Sequence, residues 1–241
     1  MTIRCDQREF VAVSHAKGTK HKVYEDNFRM LPRDIPLVME KKRGELFAVF
    51  DGIGSAPKGQ HAAQVMADKL ISFYREPDIY NSSFEGINTL LMEANQEIWN
   101  WGFIPGTDRP LGGCAGTIVW LFEENIYVFH AGDTAGFLIR DDKLIHLTRT
   151  HQMENGAIIQ YFGYGENLVI DIERFSIEEL DRILLVSDGV TKVFGSAEAA
   201  NIIGENPNIC KAVIELARRS QLRGSTDDIT AMLIEVEEIW D

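Results

Sequence analysis

Aspartates close several of the chain's apolar runs, and carboxylates delivered in that way can gather a hard cation. Phe47–Phe50 runs into Asp51-Gly52, Ile126–His130 into Ala131-Gly132-Asp133, and Ile183–Val186 into Ser187-Asp188-Gly189. Asp227-Asp228 stands just before the run that starts at Ile229. A single Asp after a strand is often only a turn former, its side chain bonding the backbone two residues on. Repetition changes the reading, because a sheet collects strand ends from distant parts of a chain at one edge. Carboxylates gathered there repel one another, and burying their charge without a cation is costly. An oxygen-only donor set suits Mg²⁺ or Mn²⁺, which keep several waters and need few protein ligands. Glycine after Asp51 and Asp188 permits close backbone approach, so a glycine carbonyl can join the set.

Two such ions held a few ångströms apart share a hydroxide, lower its pKa and aim it in line at a phosphorus atom. That chemistry needs no covalent nucleophile. A cysteine-dependent phosphate-ester hydrolase would carry Arg six positions after its Cys, and here those positions hold Val11, Trp120 and Leu216. Gly112-Gly113-Cys114-Ala115-Gly116 has the look of a phosphate loop, but it lacks a Lys and leads into a strand. It reads as the start of a strand where backbones approach closely.

The elements that must position these aspartates are mostly short strands. Runs rich in Val, Ile, Leu and Phe predict strands over Phe10–Ser14, Leu46–Phe50, Thr117–Phe122, Ile126–His130 and Gly136–Arg140. Further strands are predicted over Leu144–Leu147, Leu168–Ile172, Ile183–Val186 and Ile229–Val236. Glu123-Glu124-Asn125 and Asp141-Asp142-Lys143 read as hairpin turns, so the pairing should be antiparallel. Helical spacing recurs over Ala62–Phe73, Ile87–Trp101 and Ile209–Ala217, the last after a Pro207 suited to a first helical turn. Helices fall between blocks of strands, which favours an α+β layered sandwich over a doubly wound parallel sheet. No GxGxxG follows a strand and no GxxxxGK[ST] is present.

Composition narrows the partners. With no linker or repeat, the 241 residues read as a single domain over 1–241. A net charge of −13 argues against nucleic acid as partner. No stretch approaches the length of a membrane span or a signal peptide, so a soluble, cytoplasmic protein is expected. Cys5, Cys114 and Cys210 are odd in number and far apart, which predicts separate free thiols. The scattered histidines, His15, His61, His130, His146 and His151, lack ligand spacing and read as surface or packing residues.

Tyr24-Glu25-Asp26-Asn27, Phe47–Gly52, Gly132-Asp133-Thr134, Leu184–Gly189 and Thr226-Asp227-Asp228-Ile229-Thr230 occur in one order along nearly the whole chain. Together they resemble the metal-dependent Ser/Thr phosphatases of the PP2C (PPM) type. The resemblance implies a four-layer α-β-β-α sandwich with two central antiparallel sheets and a metal site at one edge. It implies that Asp51 bridges two Mn²⁺ or Mg²⁺ ions, with the Gly52 carbonyl completing one coordination sphere. Asp188 and Asp227 would bind the other ion, and Glu25 and Asp26 would act directly or through water. Asp133 matches the position linked in the family to a third, weaker ion, and Asp228 stands where the family usually has Asn and would orient its neighbour.

Two departures bear on substrate. Where the family has a phosphate-binding Arg before the first motif, this chain has His21, flanked by Lys20 and Lys22, so His21 and Lys22 are the expected phosphate cations, without Arg's bidentate fork. Ile53 stands where eukaryotic members place a His and many bacterial members an apolar residue. The stretch Glu154–Phe162 leaves little room for the mobile flap of bacterial relatives, a compactness resembling members that act on phosphorylated regulatory domains. The expected activity is hydrolysis of phosphoserine and phosphothreonine on proteins, opposing a Ser/Thr kinase, by a monomer. A catalytically weak or inactive relative that binds metal or phosphoprotein is the alternative, and a di-metal enzyme for small phosphoesters is a third reading.

Overall fold

In the computed structural model, which describes residues 2–141 and 143–236, two antiparallel sheets lie face to face with helices outside each. In chain order the elements begin with β1 (Arg4–Arg8), β2 (Val11–Ala16), β3 (Asn27–Leu31), α1 (Pro36–Lys41), β4 (Glu45–Gly52) and α2 (Gly59–Lys69). They continue with α3 (Ser72–Arg75), α4 (Phe84–Trp99), β5 (Cys114–Phe122), β6 (Asn125–Ala131), β7 (Ala135–Arg140) and β8 (Lys143–His146). The last are β9 (Asp171–Ser176), β10 (Arg182–Val186), α5 (Asp188–Thr191), α6 (Ser196–Gly204), α7 (Ile209–Leu222) and β11 (Ile229–Glu235). One sheet has the order β1-β2-β11-β10-β7-β8 and the other β3-β4-β5-β6-β9.

Alternation along the central strands produces the layers. Phe47 and Val49 of β4, Leu185 of β10 and Met232 of β11 point between the sheets, with Val13, Val119 and Val128. Their sequence neighbours point the other way, since side chains of a strand alternate between faces. Leu46, Ala48 and Phe50 meet α2 and α4 in one outer core. Leu184, Val186, Ala231 and Leu233 meet α6 and α7 in the other. Both faces of these strands are therefore buried, which explains near-continuous apolar runs in antiparallel sheets.

The central strands match their predicted spans to within a few residues, and so do the helices through Ala62, Ile87 and Ile209. The first of these ends at Lys69, and Phe73 belongs to the separate turn α3. Pro207 lies outside its helix: Asn208 is the N-cap, its side chain accepting from Lys211 N at 2.9 Å. The strand expected over Leu168–Ile172 begins later, at Asp171, because Leu168 turns into the helix-covered core. Of the two hairpin turns, Glu123-Glu124-Asn125 joins β5 to β6, with Glu123 at φ +52°. Asp142 of the second lies outside the described residues, and Arg140 pairs with Lys143 across it.

The expectation of separate thiols is corrected for one pair. α7 packs against β1, which sets Cys5 and Cys210 at a Cα–Cα distance of 6.4 Å, and the two are disulfide-bonded. A separation of 205 residues carries no local spacing signal, so the pairing was invisible in the sequence. Cys114 is free and buried at the start of β5. Among the described residues, no helix is long and apolar enough to cross a membrane.

Candidate metal centre

Four strand ends deliver the acidic residues to one edge of the two sheets. Asp51 is the penultimate residue of β4, and Asp188 opens α5 directly after β10. Asp133 follows β6 through Gly132, and Asp227 precedes β11. Asp51, Asp133 and Asp188 each present a carboxylate oxygen, all within 4.8 Å of one another. Asp227 joins them in the lining of a cavity of about 380 Å³, together with Gly52, Ile53 and His21. Gly52 sits where a Cβ would come within 2.6 Å of Gly59 C and 2.8 Å of Glu25 O. At Gly132, a φ of +117° and the nearness of Ala115 leave no space for a side chain either.

Without a cation this cluster is electrostatically strained. Burial pushes the Asp51 carboxyl well up from its usual range, and Asp26, Asp188, Asp133 and Asp227 push in the same direction. Burial raises Asp133 to about 6, with Asp188 adding to it and Lys192 opposing. Burial also raises Asp188, against the pull of Lys192. Asp227 behaves oppositely: burial works against ionisation, but Lys192 and Lys20 each donate to its Oδ2 at 2.8 Å and hold it down at about 2. Lys192 also pairs with Asp188, one helical turn away.

The residues fit divalent metal by the chemistry of their donors. Asp188 Oδ1 and Glu25 Oε2 are buried and accept no hydrogen bond. His21 Nδ1 lies 3.2 Å from Glu25 Oε2 but is not aligned to donate to it, and His21 Nε2 is 3.4 Å from Asp227 Oδ1. Buried carboxylate oxygens without donors, in a cluster of carboxylates, are what hard cations take up.

Other expected residues occupy supporting positions. Asp26 is fully buried, its Oδ2 accepting from Thr230 Oγ1 at 2.6 Å, and Tyr24 OH meets the same hydroxyl at 2.5 Å. Burial pushes Asp26 well above the usual carboxylate range. Asp228 accepts from Gly18 N and Glu25 N, both at 2.6 Å, so its side chain fastens the 18–25 loop to the start of β11. It touches its neighbour only through the backbone, Asp228 N donating to Asp227 Oδ1 at 3.2 Å. Lys22, expected beside His21, is exposed and does not line the cavity; Lys20 and Lys192 do.

Sequence reasoning missed a second set, behind Asp133. Gly132 N donates to His151 Nδ1 at 3.2 Å, which requires that nitrogen to be unprotonated, and His151 Nε2 lies 3.0 Å from Asp171 Oδ2. His151 N donates to Gly132 O at 2.8 Å, and His130 Nε2 approaches the same oxygen at 3.1 Å. Gln152 Nε2 donates to Asp133 Oδ2 at 3.1 Å. Burial lowers His130 to about 4, keeping it neutral. The residues 151–159 close on themselves as a tight hairpin, with His151 O accepting from Ile159 N and Gly156 and Ile158 walling the cavity. This short hairpin occupies the region where a longer flap was not expected to fit. Lys192 alone of these residues had a sequence signal, its i,i+4 spacing from Asp188 on a helix.

Known proteins share this fold. The Protein phosphatase 2C family model matches residues 12–157, and the model for Stage II sporulation protein E (SpoIIE) matches residues 109–237. The serine/threonine phosphatase stp of Listeria innocua is 20% identical over 219 residues, covering 81% of this chain and 86% of that protein. A putative protein phosphatase of Mycoplasma pneumoniae is 23% identical over 235 residues, covering 86% and 91%. Among solved structures, the catalytic domain of the serine threonine protein phosphatase PstP in complex with two manganese ions superposes with a TM-score of 0.77. It is 18% identical and covers 95% of this chain and 98% of that one. The S. agalactiae serine/threonine phosphatase gives 0.78 at 21% identity, covering 94% and 99%.

Two outcomes are expected from this geometry. His151→Ala removes the acceptor for Gly132 N–H and should weaken Mn²⁺ binding, read by calorimetry, by roughly tenfold or more; unchanged affinity would remove His151 from the support of Asp133. The second concerns pH in the metal-free protein. Asp133 titrates at about 6 when folded, above an unfolded value near 3.8. The folded state therefore holds the extra proton, and its contribution is present below about pH 4 and lost as pH rises through 6. Asp133→Asn should thus gain on the wild type by about 2–3 kcal/mol between pH 4 and pH 7 in EDTA. Using the difference between the two proteins cancels His130, whose lowered value acts with the opposite sign over the same range. A difference independent of pH would contradict the assignment.

Proposed function

The chain belongs to the protein phosphatase 2C family, and we propose that it hydrolyses phosphoserine and phosphothreonine esters on proteins by a two-metal mechanism. The observation that carries this reading is the Asp51, Asp133 and Asp188 cluster, with Asp188 Oδ1 buried and unpartnered beside it. Asp51 would serve both ions, with the Gly52 carbonyl contributing to one and Asp188 and Asp227 holding the other. Glu25, whose Oε2 is buried and unpartnered beside the cavity-lining His21, would contribute directly or through water. When bound, Mn²⁺ or Mg²⁺ supplies an activated water and neutralises the phosphoryl oxygens.

The chain's own side chains do the rest. Lys20 and Lys192 pair with Asp227, and Lys192 also with Asp188, at the wall of the cavity. Both ammonium groups line the cavity, where they would bind the substrate phosphate as point charges. His21 lies between Glu25 and Asp227 and can orient both, in the place where the family has Arg. Ile53 and Ile158 present apolar surface to the cavity and limit its water, which strengthens every charge interaction within it. Asp26, locked on Thr230, holds the inner wall against Asp51. Asp133, held by Gln152 and the His151 support, is the side chain available to a third, weaker ion. The protein acts on phosphoproteins in the cytoplasm as a monomer and opposes a Ser/Thr kinase.

The test is hydrolysis of p-nitrophenyl phosphate and a phosphothreonine peptide with Mn²⁺, Mg²⁺ or EDTA, beside Asp51→Asn and Asp188→Asn. Metal-dependent turnover, abolished by EDTA and reduced at least 100-fold by either substitution, is the expected result. A folded protein that binds Mn²⁺ without turning over either substrate would instead be a regulatory module.

A further inference from the structure

A trough leaves the metal cavity on the side of α5 and α6. Its near part, a cavity of about 420 Å³, shares Asp133, Gln152, Asp188 and Lys192 with the metal cavity, so the two are continuous. The floor of this part is apolar, formed by Phe137 of β7 and by Phe194, both nearly buried. Thr148, Thr150, Thr191 and Ser196 line its rim with hydroxyls, and exposed His146, edge-on against Phe137, meets Ser196 Oγ at 3.1 Å at its outer end.

The far part, a cavity of about 540 Å³, lies further along the same elements. Phe137 pairs with His146 across β7 and β8, and Ile139 pairs with Leu144 one step on. Residues two apart on a strand share a face, so these two cross-strand pairs lie on one face of the sheet, with the His146–Ser196 contact as a saddle between the two parts. Opposite them, Ala197, Ala200, Asn201 and Gly204 of α6 recur at the spacing of a single helix face. Lys143 and Glu205 are the charged residues of this part, one of each sign. From Ser196 to Gly204 the helix runs ~12 Å, which matches about four residues of extended chain at ~3.3 Å each.

We propose that this trough is the subsite for the polypeptide flanking the phosphorylated residue, and that it selects segments with apolar side chains close to the phosphosite. The proposal rests on the phosphatase reading. The phosphoresidue enters the metal cavity, and the flanking chain lies extended between β7–β8 and α6. An apolar side chain next to the phosphosite rests on Phe137 and Phe194, under the hydroxyl rim. Beyond Asp133, Asp188 and Lys192 at the metal cavity, the lining carries Lys143 and Glu205, one charge of each sign, which favours an uncharged segment, in contrast to the cationic phosphate position at Lys20 and Lys192.

The test compares p-nitrophenyl phosphate, which reaches only the metal cavity, with two phosphothreonine peptides, one flanked by Leu and Val and one by Gly and Asp. Each is assayed with Mn²⁺ on the wild type, on Thr150→Trp at the near rim and on Ala200→Trp in the far wall. Thr150 is exposed and Ala200 half-buried, and near-UV circular dichroism checks that both variants keep the fold. The wild type should prefer the apolar-flanked peptide in kcat/KM by about tenfold, the range set by one or two apolar side chains in a pocket. Both variants should lower the ratio of that peptide's kcat/KM to that of p-nitrophenyl phosphate by a similar factor. No flank preference in the wild type, with an unchanged ratio in both variants, overturns the subsite. Failure of the wild type to hydrolyse p-nitrophenyl phosphate would overturn the phosphatase reading, and this one with it.

Discussion

Mutual repulsion among carboxylates that the backbone forces together is the constraint on which this structure turns. Asp26, Asp51, Asp133, Asp188 and Asp227 are held at one sheet edge by strands whose buried faces fix where each must end. Asp51 and Asp188 cannot retreat to water without unpacking β4 or β10, which are buried on both sides. Two consequences are visible in the chain: carboxyls pushed toward their protonated form, and two lysines drawn in as counter-charges. A divalent ion relieves the same repulsion with far greater charge density, and the cluster is thereby poised for metal by the packing of residues distant from it.

Rigidity around the cluster comes from groups that stand behind it. Asp228 spends both carboxylate oxygens on the backbone of the 18–25 loop, so the loop carrying Lys20, His21 and Glu25 moves with β11. His151, backed by Asp171, does the corresponding work for Gly132 and hence for Asp133. Supports of this kind set the orientation of ligands as firmly as the ligands' own strands do. Where the edge is not braced in this way, it opens into the trough along α6, and selectivity for a substrate segment can be built there without disturbing the charges.

The sheets and the acid positions were legible because both follow from local pattern. Runs such as Phe47–Phe50 and Ile183–Val186 mark strands, and the Asp that ends each run is placed by the strand itself. Polar edge strands hid the rest of the sheets: β1, Arg4–Arg8, is largely exposed, and β3 is only half-buried. Contacts between distant segments were equally hidden. Nothing local pairs Cys5 with Cys210, turns His151 onto Gly132, or brings Gln152 to Asp133. Lys22 was expected in the site because it neighbours His21, but both lysines are exposed, and the loop's path brings Lys20, not Lys22, to Asp227 and the cavity.

Anomalous diffraction from crystals grown with Mn²⁺ tests the central claim most directly. Two manganese peaks in the cavity bounded by Asp51, Asp188 and Asp227, with the Lys192 ammonium displaced from Asp188, are what the charge argument predicts. A cavity without manganese at millimolar Mn²⁺, with Lys192 still paired to Asp188 and Asp227, would contradict it.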